Sequence, residues 1–421
     1  MPSTTDVAAP TPLLTPQGEP AATAWALDPG LRHLNHGSFG AVPRAALDHQ
    51  AELRRLTELA PVAWFPGLPQ RIEGARGLLA ARLGLAVQDL ALVPNASGGA
   101  SVVLNAVDLP AGAEVLVTDH GYGAVTMGAA RAARRAGATV RTATVPLAAD
   151  EDESFEAIWS AVTPQTALIV LDHITSPTAR RLPVERVCAA AREHGITTLV
   201  DGAHAPMLLE SPAADADADY WVGNLHKYGC APRGTAVLVA RPDAAQRLYP
   251  LIDSWGGDLG YPERFDHQGT LDLTSWLAAP VALDLVEQTF GWDAVRRYST
   301  ELAGWAQQSV ADALSEASGV DCHAEVGMPV GPLRLVALPG RLATAHLEAN
   351  ALRDRMLAEA GIESAFTAFG GRGYLRLSAH VYNTPDDYRD LVERAVPLLL
   401  RWAGEADARP VTVNPQERRE Q

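Results

Sequence analysis

Two stretches of the chain decide its fold. Residues 197–205 read Thr-Thr-Leu-Val-Asp-Gly-Ala-His-Ala, and residues 220–229 read Tyr-Trp-Val-Gly-Asn-Leu-His-Lys-Tyr-Gly. Each begins with a short apolar run, typical of a strand that is covered on both faces, and continues into polar residues and glycine. Because open α/β sheets bind ligands at the carboxyl ends of their strands, we expect the side chains after the two runs to share one crevice.

Similar apolar runs surround these two and alternate with Ala-rich segments of helical period, which predicts parallel strands joined by crossover helices. The further predicted strands are Glu114–Thr118, Ala167–Asp172 and Thr235–Ala240, and the predicted helices include Ala124–Ala136 and Val184–Glu193. After about residue 280 the pattern changes to long helices around short strands. Those helices are predicted over 282–317, 344–360 and 385–404, and the strands near 332–337 and 373–378.

The sequence therefore predicts an α/β protein of two domains. We expect a large domain with a mostly parallel sheet over residues 31–280 and a smaller α+β domain over 281–408. Residues 1–30 are rich in Pro, Thr and Ala and predict an unanchored N-terminal arm, and 409–421 predict a solvated tail.

Composition excludes several classes of function. The 421 residues carry a net charge of -16, which disfavours binding to nucleic acid or to an anionic membrane surface. No apolar stretch is long enough to span a bilayer. The three cysteines show neither the paired spacing of a zinc site nor a disulfide framework, so we expect no metal ion and a reducing, cytoplasmic location.

The residues at the two strand ends have a chemistry in common. Asp201 and His204 follow the first run, and Lys227 follows the second. A carboxylate that faces the pyridine nitrogen of pyridoxal 5′-phosphate (PLP) keeps that nitrogen protonated, and the ring can then accept electrons from a carbanion. A lysine forms an imine with the PLP aldehyde and can move the proton at the α-carbon of an amino acid. Alone, Asp201 suits a turn and Lys227 a solvated position, but together they predict a PLP enzyme.

Two other segments suit the same cofactor. Ser97 and Gly98 precede a predicted helix, where hydroxyls and backbone amides can bind a phosphate, although a simple helix cap explains the same residues. His120 and Tyr122 follow the strand Glu114–Thr118 and offer rings that could cover the cofactor, although either ring could instead be a buried structural contact.

Taken together, these segments resemble the class V aminotransferase superfamily of fold type I PLP enzymes, and within it the isopenicillin N epimerase-like branch. The resemblance covers most of the chain in one order. Its motifs are Leu34-Asn35-His36-Gly37-Ser38-Phe39-Gly40, Asn95-Ala96-Ser97, His120-Gly121-Tyr122-Gly123, Ser176-Pro177-Thr178-Ala179, Asp201-Gly202-Ala203-His204, Asn224-Leu225-His226-Lys227, Gln268-Gly269-Thr270 and Arg376-Leu377-Ser378 with Tyr382-Asn383-Thr384.

The resemblance implies a role for each matched residue at the cofactor. Lys227 is the imine lysine, Asp201 the partner of the pyridine nitrogen, and His204 a neighbour of the phenolic oxygen. The remaining cofactor residues would hold the phosphate or cover the ring: Ser97, Gly98 and His226 the phosphate, Tyr122 or His120 the ring.

The resemblance also implies substrate and partner contacts. Arg376 would clamp the substrate carboxylate through its bidentate guanidinium, with Asn35 and His36 beside the substrate. Alternatively, Arg376 is a structural residue on a surface strand. Thr270 would reach the phosphate of a partner subunit, which implies a homodimer with shared active sites. Leu271 departs from the family pattern, because relatives usually have an arginine there.

The reaction type stays open at this stage. Desulfuration needs a mobile cysteine shortly before Arg376, and residues 358–375 contain none. Transamination is neither indicated nor excluded. Epimerisation needs an acid opposite Lys227, such as Tyr122 or a pocket histidine, whereas β-elimination needs only Lys227 and a leaving group. Decarboxylating oxidative deamination and a non-enzymatic binding module stay open as well. The resemblance favours a cysteine S-conjugate C–S lyase of specialised metabolism, such as antibiotic biosynthesis.

Overall fold

A computed structural model describes residues 8–408. Twelve strands are present in this range: β1 (Arg32–His33), β2 (Leu90–Val93), β3 (Glu114–Thr118), β4 (Thr139–Ala143), β5 (Thr166–Asp172), β6 (Thr197–Asp201), β7 (Tyr220–Asn224), β8 (Ala236–Ala240), β9 (Leu333–Ala337), β10 (Ile362–Glu363), β11 (Ala365–Phe369) and β12 (Arg372–Ser378).

The α-helices of the same range connect and cover these strands. They are α1 (Arg44–Leu59), α2 (Pro61–Trp64), α3 (Leu68–Arg82), α4 (Ala96–Ala106), α5 (Gly123–Ala136), α6 (Glu151–Trp159), α7 (Val184–Glu193), α8 (Pro212–Ala216), α9 (Pro242–Ala245), α10 (Thr274–Thr289), α11 (Trp292–Ser318), α12 (His346–Ala360) and α13 (Pro385–Asp407). Within the described range, no helix is long and apolar enough to cross a membrane.

The large sheet has seven strands in the order β2-β8-β7-β6-β5-β3-β4. Strand β8 is antiparallel to both of its neighbours, and the other pairs are parallel. Alternate residues of each central strand enter two different cores, as Leu168 and Val170 do on one face and Ile169 and Leu171 on the other. Helices cover both faces, which explains the continuous apolar runs and confirms the predicted α/β class.

The smaller sheet lies near the C-terminus. Strands β11, β12 and β9 pair antiparallel in that order. One face of this sheet shares a core with α11, α12 and α13, and buried residues of its other face belong to the core of the large sheet. A short parallel pair, β1 with β10, joins the N-terminal segment to this region.

The structure corrects two details of the prediction. The predicted helix over 282–317 is two helices, α10 and α11, because the chain turns at Gly291 with φ near 75°. The predicted domain boundary near 280 falls within the span of α10, and the division into two domains stays a prediction. The arm is anchored where the structure describes it, since Trp25 is 1% exposed and packs against Phe290 and Tyr382. Residues 1–7 and the predicted tail, 409–421, lie outside the described range.

Candidate active site

Lys227 and His204 meet at the carboxyl edge of the large sheet. Lys227 follows β7, His204 follows β6, and the lysine Nζ lies 3.0 Å from the histidine Nε2. The histidine Nδ1 lies 3.2 Å from the carbonyl oxygen of Ile174. Burial, together with Lys227 and Arg376, lowers the pKa of His204 well below its usual value. The ring is therefore neutral. Its Nε2 also lies 2.9 Å from the carbonyl oxygen of Gly37, and a neutral ring donates to only one of the two carbonyls. In the tautomer in which Nδ1 donates to Ile174, Nε2 accepts a hydrogen bond from the lysine.

The environment of Lys227 makes it a useful base. Burial and the nearby Arg376 guanidinium lower the pKa of its amine to about 8, while Asp201 and Asp172 act in the opposite direction. An amine with a pKa near neutrality is available both as a nucleophile and as a proton carrier.

Asp201 is the last residue of β6 and is 2% exposed. Its Oδ1 accepts a hydrogen bond from the backbone amide of Ala203 at 3.0 Å. Its Oδ2 has no hydrogen-bond partner among the described residues. A buried carboxylate oxygen without a donor is unusual in a folded protein, and it is the atom that a protonated ring nitrogen would satisfy.

Arg376 lies on β12 and is buried, which excludes the alternative of an exposed strand residue. Its Nη1 donates to the carbonyl and hydroxyl oxygens of Ser176 at 2.6 and 3.1 Å. Its Nη2 donates to Ser38 Oγ at 2.8 Å and to Asn35 Oδ1 at 3.4 Å. None of these acceptors is a carboxylate, so the buried charge has only neutral partners and is suited to bind an anion.

The predicted phosphate site lies at the start of α4. Asn95 caps this helix by accepting from Gly98 N at 2.7 Å, and Asn224 at the end of β7 accepts from Ala96 N at 2.8 Å. Ser97 and Gly98 therefore lie in the first turn of a helix whose start is fixed to the sheet edge, where backbone amides and the helix dipole favour an anion.

Two basic residues accompany this helix start. His226 Nδ1 lies 2.9 Å from the carbonyl oxygen of Thr235, and burial lowers the pKa of its ring to about 4. Arg233, which sequence reasoning did not identify, lines a cavity of about 430 Å³ together with Gly98. The same guanidinium contributes to lowering the pKa of His226, which locates a cation at the phosphate end of the site.

Tyr122 and His120 have different environments. His120 is fully buried, with its nitrogens 2.6 Å from Thr178 Oγ1 and 2.7 Å from the Val145 carbonyl oxygen, and its ring packs on Phe369. Because both nitrogens and one ring face are occupied, His120 has the contacts of a structural residue. Tyr122 is 43% exposed and precedes α5 at the sheet edge, so it is the ring of the pair that remains available to a ligand.

His36 also has structural contacts. Its Nε2 lies 3.0 Å from the carbonyl oxygen of Lys227, its Nδ1 contacts the Tyr382 hydroxyl, and its ring stacks on His380 at 4.2 Å. Both ring nitrogens of His36 are thus engaged within the protein, and its expected position beside the substrate stays a prediction. Asn35 supports Arg376 instead of facing open space.

Asp172 is a residue that sequence reasoning missed. It ends β5 and pairs with Asp201 in the parallel ladder between β5 and β6. Its Oδ2 lies 3.4 Å from the backbone amide of Tyr122. The signal was present, since the predicted strand Ala167–Asp172 ends on a carboxylate just as the Asp201 strand does.

Comparison with known proteins identifies the family. The family model described as "Aminotransferase class-V" matches residues 68–391 of the chain. The chain belongs to the class V aminotransferase family. It is 32% identical over 401 residues to an isopenicillin N epimerase of Amycolatopsis lactamdurans, covering 88% of this chain and 98% of that protein. It is 25% identical over 412 residues to an L-cysteine desulfhydrase of Arabidopsis thaliana, covering 88% of each chain.

The fold of this class V family member also matches solved structures. A complex of the cystine C-S lyase C-DES with cysteine persulfide superposes with a TM-score of 0.72 at 21% identity, covering 87% of this chain and 97% of that chain. At this identity the match demonstrates the fold alone.

The cofactor of the family is PLP, and the site fits it. Asp201 Oδ2 is a buried acceptor without a donor among the described residues, Lys227 provides an amine with a lowered pKa, and α4 provides an anion-binding helix start. These three features suit the ring nitrogen, the aldehyde and the phosphate of PLP respectively.

Proposed function

We propose that this PLP enzyme is a cysteine S-conjugate lyase, which cleaves the bond between the β-carbon and sulfur. One observation carries the proposal: Lys227 is the well-placed base of the described site. His120 and His36 have both ring nitrogens engaged, and burial lowers the pKa of His204 well below its usual value, which makes it a weak base. β-Elimination needs only one base, so the site as built is sufficient for it.

Each residue of the site has a different role in this reaction. PLP, when bound, supplies a ring that withdraws the electron pair released at the α-carbon. Asp201 would face the ring nitrogen of the bound cofactor, and Ser97, Gly98, His226 and Arg233 would hold its phosphate. Arg376 holds the substrate carboxylate, and Lys227 removes the α-proton. The thiolate then leaves from the β-carbon and takes up a proton. One S-conjugate and one water give one thiol, one pyruvate and one ammonia.

The cysteines of the chain argue against desulfuration. Cys188, Cys230 and Cys322 are all buried, and burial raises the pKa of each thiol. A nucleophile that accepts sulfur needs an accessible thiolate, and these three do not provide one.

Epimerisation is the second candidate, because two isopenicillin N epimerases are 32% and 30% identical to this chain. It requires an acid on the face opposite Lys227, and the exposed Tyr122 is the residue that could supply it.

The test is a product assay in deuterated water with the PLP-loaded enzyme and a panel of S-alkyl and S-aryl cysteines. We expect free thiol, pyruvate and ammonia in equal amounts, and Lys227→Ala should abolish all three. Recovery of intact substrate, deuterated at the α-carbon and scrambled in configuration, would refute the lyase. Tyr122→Phe gives a second criterion, since thiol release should stay within about threefold, whereas loss of a general acid costs about 100-fold or more.

We further propose a homodimer in which Thr270 contacts the partner subunit. Thr270 is exposed, and large apolar side chains lie exposed on the same segment, with Trp255 at 96%, Leu251 at 52% and Leu271 at 45%. Apolar surface of this kind marks an interaction site. The leucine at position 271 makes that surface more apolar than the family arginine would.

A further inference from the structure

Two acidic side chains lie next to each other at the carboxyl edge of the large sheet. Asp172 ends β5, Asp201 ends β6, and the two residues are Cα partners in the parallel ladder. Leu168 and Val170 of β5 enter the same core as Leu199 of β6, so the alternation along each strand directs both carboxyls to one face. Asp172 is 5% exposed and Asp201 is 2% exposed.

Asp172 also supports the turn that carries Tyr122. Its Oδ2 accepts from the backbone amide of Tyr122 at 3.4 Å. The preceding residue, Gly121, has no room for a side chain. An added Cβ would be 2.7 Å from Thr126 Oγ1 and 3.1 Å from the Thr118 carbonyl oxygen. The turn is therefore packed tightly between the end of β3 and the first turns of α5, and Asp172 is the side chain of β5 that accepts from its backbone.

The charges around the pair do not balance two carboxylates. Asp172 is faced by Asp201 from β6, by Lys227 from the segment after β7 and by the Tyr122 amide from the segment after β3. Burial and then Asp201 raise the pKa of Asp172 well above its usual value, and burial raises the pKa of Asp201. Among the described residues, Lys227 is the one cation that acts on both. Two adjacent buried carboxyls with one cation hold a proton between them.

We propose that Asp172 is a positioning residue of the cofactor site, which keeps its proton, holds the Tyr122 turn and leaves Asp201 as the single negative charge toward the pyridine nitrogen. This inference rests on the proposed function only in that the site binds PLP. Asp201 receives the charge because its Oδ1 accepts the Ala203 amide at 3.0 Å, a shorter bond than the 3.4 Å bond of Asp172 to the Tyr122 amide. Its buried Oδ2 has no partner among the described residues and is left for the ring nitrogen. Asp172 acts on the site indirectly, because it binds the backbone of the turn that carries Tyr122.

The experiment compares Asp172→Asn with Asp172→Ala. An asparagine keeps an acceptor for the Tyr122 amide and a donor in place of the acid proton, whereas alanine keeps neither. We expect the PLP dissociation constant and the absorption spectrum of Asp172→Asn to match the wild-type enzyme within about twofold. Asp172→Ala should bind PLP roughly 3- to 10-fold more weakly, the usual effect of one lost hydrogen bond.

A second measurement tests the proton directly on the enzyme freed of PLP. A carboxyl whose pKa is raised by folding destabilises the folded state as pH rises from about 4 through that raised pKa. In Asp172→Asn this pH-dependent loss of stability is absent. The difference in melting temperature, variant minus wild type, should therefore increase between pH 4 and pH 8. This readout also shows whether each variant is folded.

Thr118→Val is the matched control. Thr118 ends β3 on the other side of β5, is buried, and has a hydroxyl without a hydrogen-bond partner among the described residues. It should leave PLP affinity unchanged. Three results overturn the proposal: equal loss of PLP affinity in Asp172→Asn and Asp172→Ala, no loss in either, or no pH-dependent gain in melting temperature. Absence of PLP binding by the wild-type enzyme would instead refute the cofactor, and absence of thiol release would refute the lyase alone.

Discussion

Replacing Arg376 with lysine keeps the positive charge at the carboxylate site and removes the planar fork. The guanidinium makes four hydrogen bonds, to both oxygens of Ser176, to Ser38 Oγ and to Asn35 Oδ1. These bonds set the plane in which it can receive a carboxylate. These four bonds use four of the five N–H donors, so a ligand carboxylate is bound bidentately only where it replaces two of the neutral acceptors. A lysine ammonium has three donors around one atom and cannot present two parallel bonds to a carboxylate.

The expected loss of substrate affinity follows from the hydrogen bond that the substitution removes. A hydrogen bond to a charged group contributes about 1.5 to 3 kcal/mol, and about 1.4 kcal/mol corresponds to a factor of ten. Arg376→Lys should therefore weaken substrate binding by about 10- to 100-fold. The assay is the KM for a cysteine S-conjugate together with a titration of the cofactor absorption by substrate, with PLP content measured separately.

Arg334→Lys is the matched control for this substitution. Arg334 lies on the adjacent strand β9, is partly buried, and donates only to backbone carbonyls among the described residues. It should leave the KM within about twofold. An unchanged KM in Arg376→Lys, or an equal rise in Arg334→Lys, would return Arg376 to a structural role.

Two further predictions concern the lysine and the subunit interface. Because the pKa of Lys227 is lowered to about 8, the rate of PLP incorporation should rise about tenfold per pH unit below that value and level off above it; a rise that continues to about pH 10, the pKa of a free lysine, would contradict this assignment. Trp255→Asp should weaken the proposed dimer, measured by light scattering during size-exclusion chromatography, whereas Leu347→Asp, at an exposed position of α12, should not; a wild-type protein that elutes as a monomer would contradict the dimer.

The sequence was most informative where function depends on local position. Asp201 and Lys227 were predictable because each follows a short apolar run, and parallel strands bring such residues to one edge. Asp172 follows a run of the same kind and lies at the same edge. It was missed because its own turn was not considered, although the physical reason is identical.

The histidines show where sequence reasoning reaches its limit. The partners of His120 are Thr178 and the backbone of Val145, and those of His36 are Tyr382 and the backbone of Lys227. These contacts join residues far apart in the chain, so no local pattern indicates whether a ring nitrogen is free. Strand β4 was missed for a different reason, since it is an edge strand with mostly exposed residues and lacks a continuous apolar run.

The arrangement around Arg376 explains why the motifs alone leave the reaction type undecided. Arg376 comes from the small sheet, Ser176 from the segment after β5, and Ser38 from the N-terminal segment. Three parts of the chain therefore hold the Arg376 guanidinium, and every proposed route that removes the α-proton would use this same arrangement. The routes separate beyond the α-carbon, where an elimination needs space for a leaving group and an epimerisation needs a proton donor. In the proposed site Tyr122 is the candidate proton donor for that region, and it is a half-exposed side chain whose backbone amide donates to Asp172. We therefore expect the choice between the two proposed reactions to depend on whether the Tyr122 hydroxyl transfers a proton, which the family motifs do not specify.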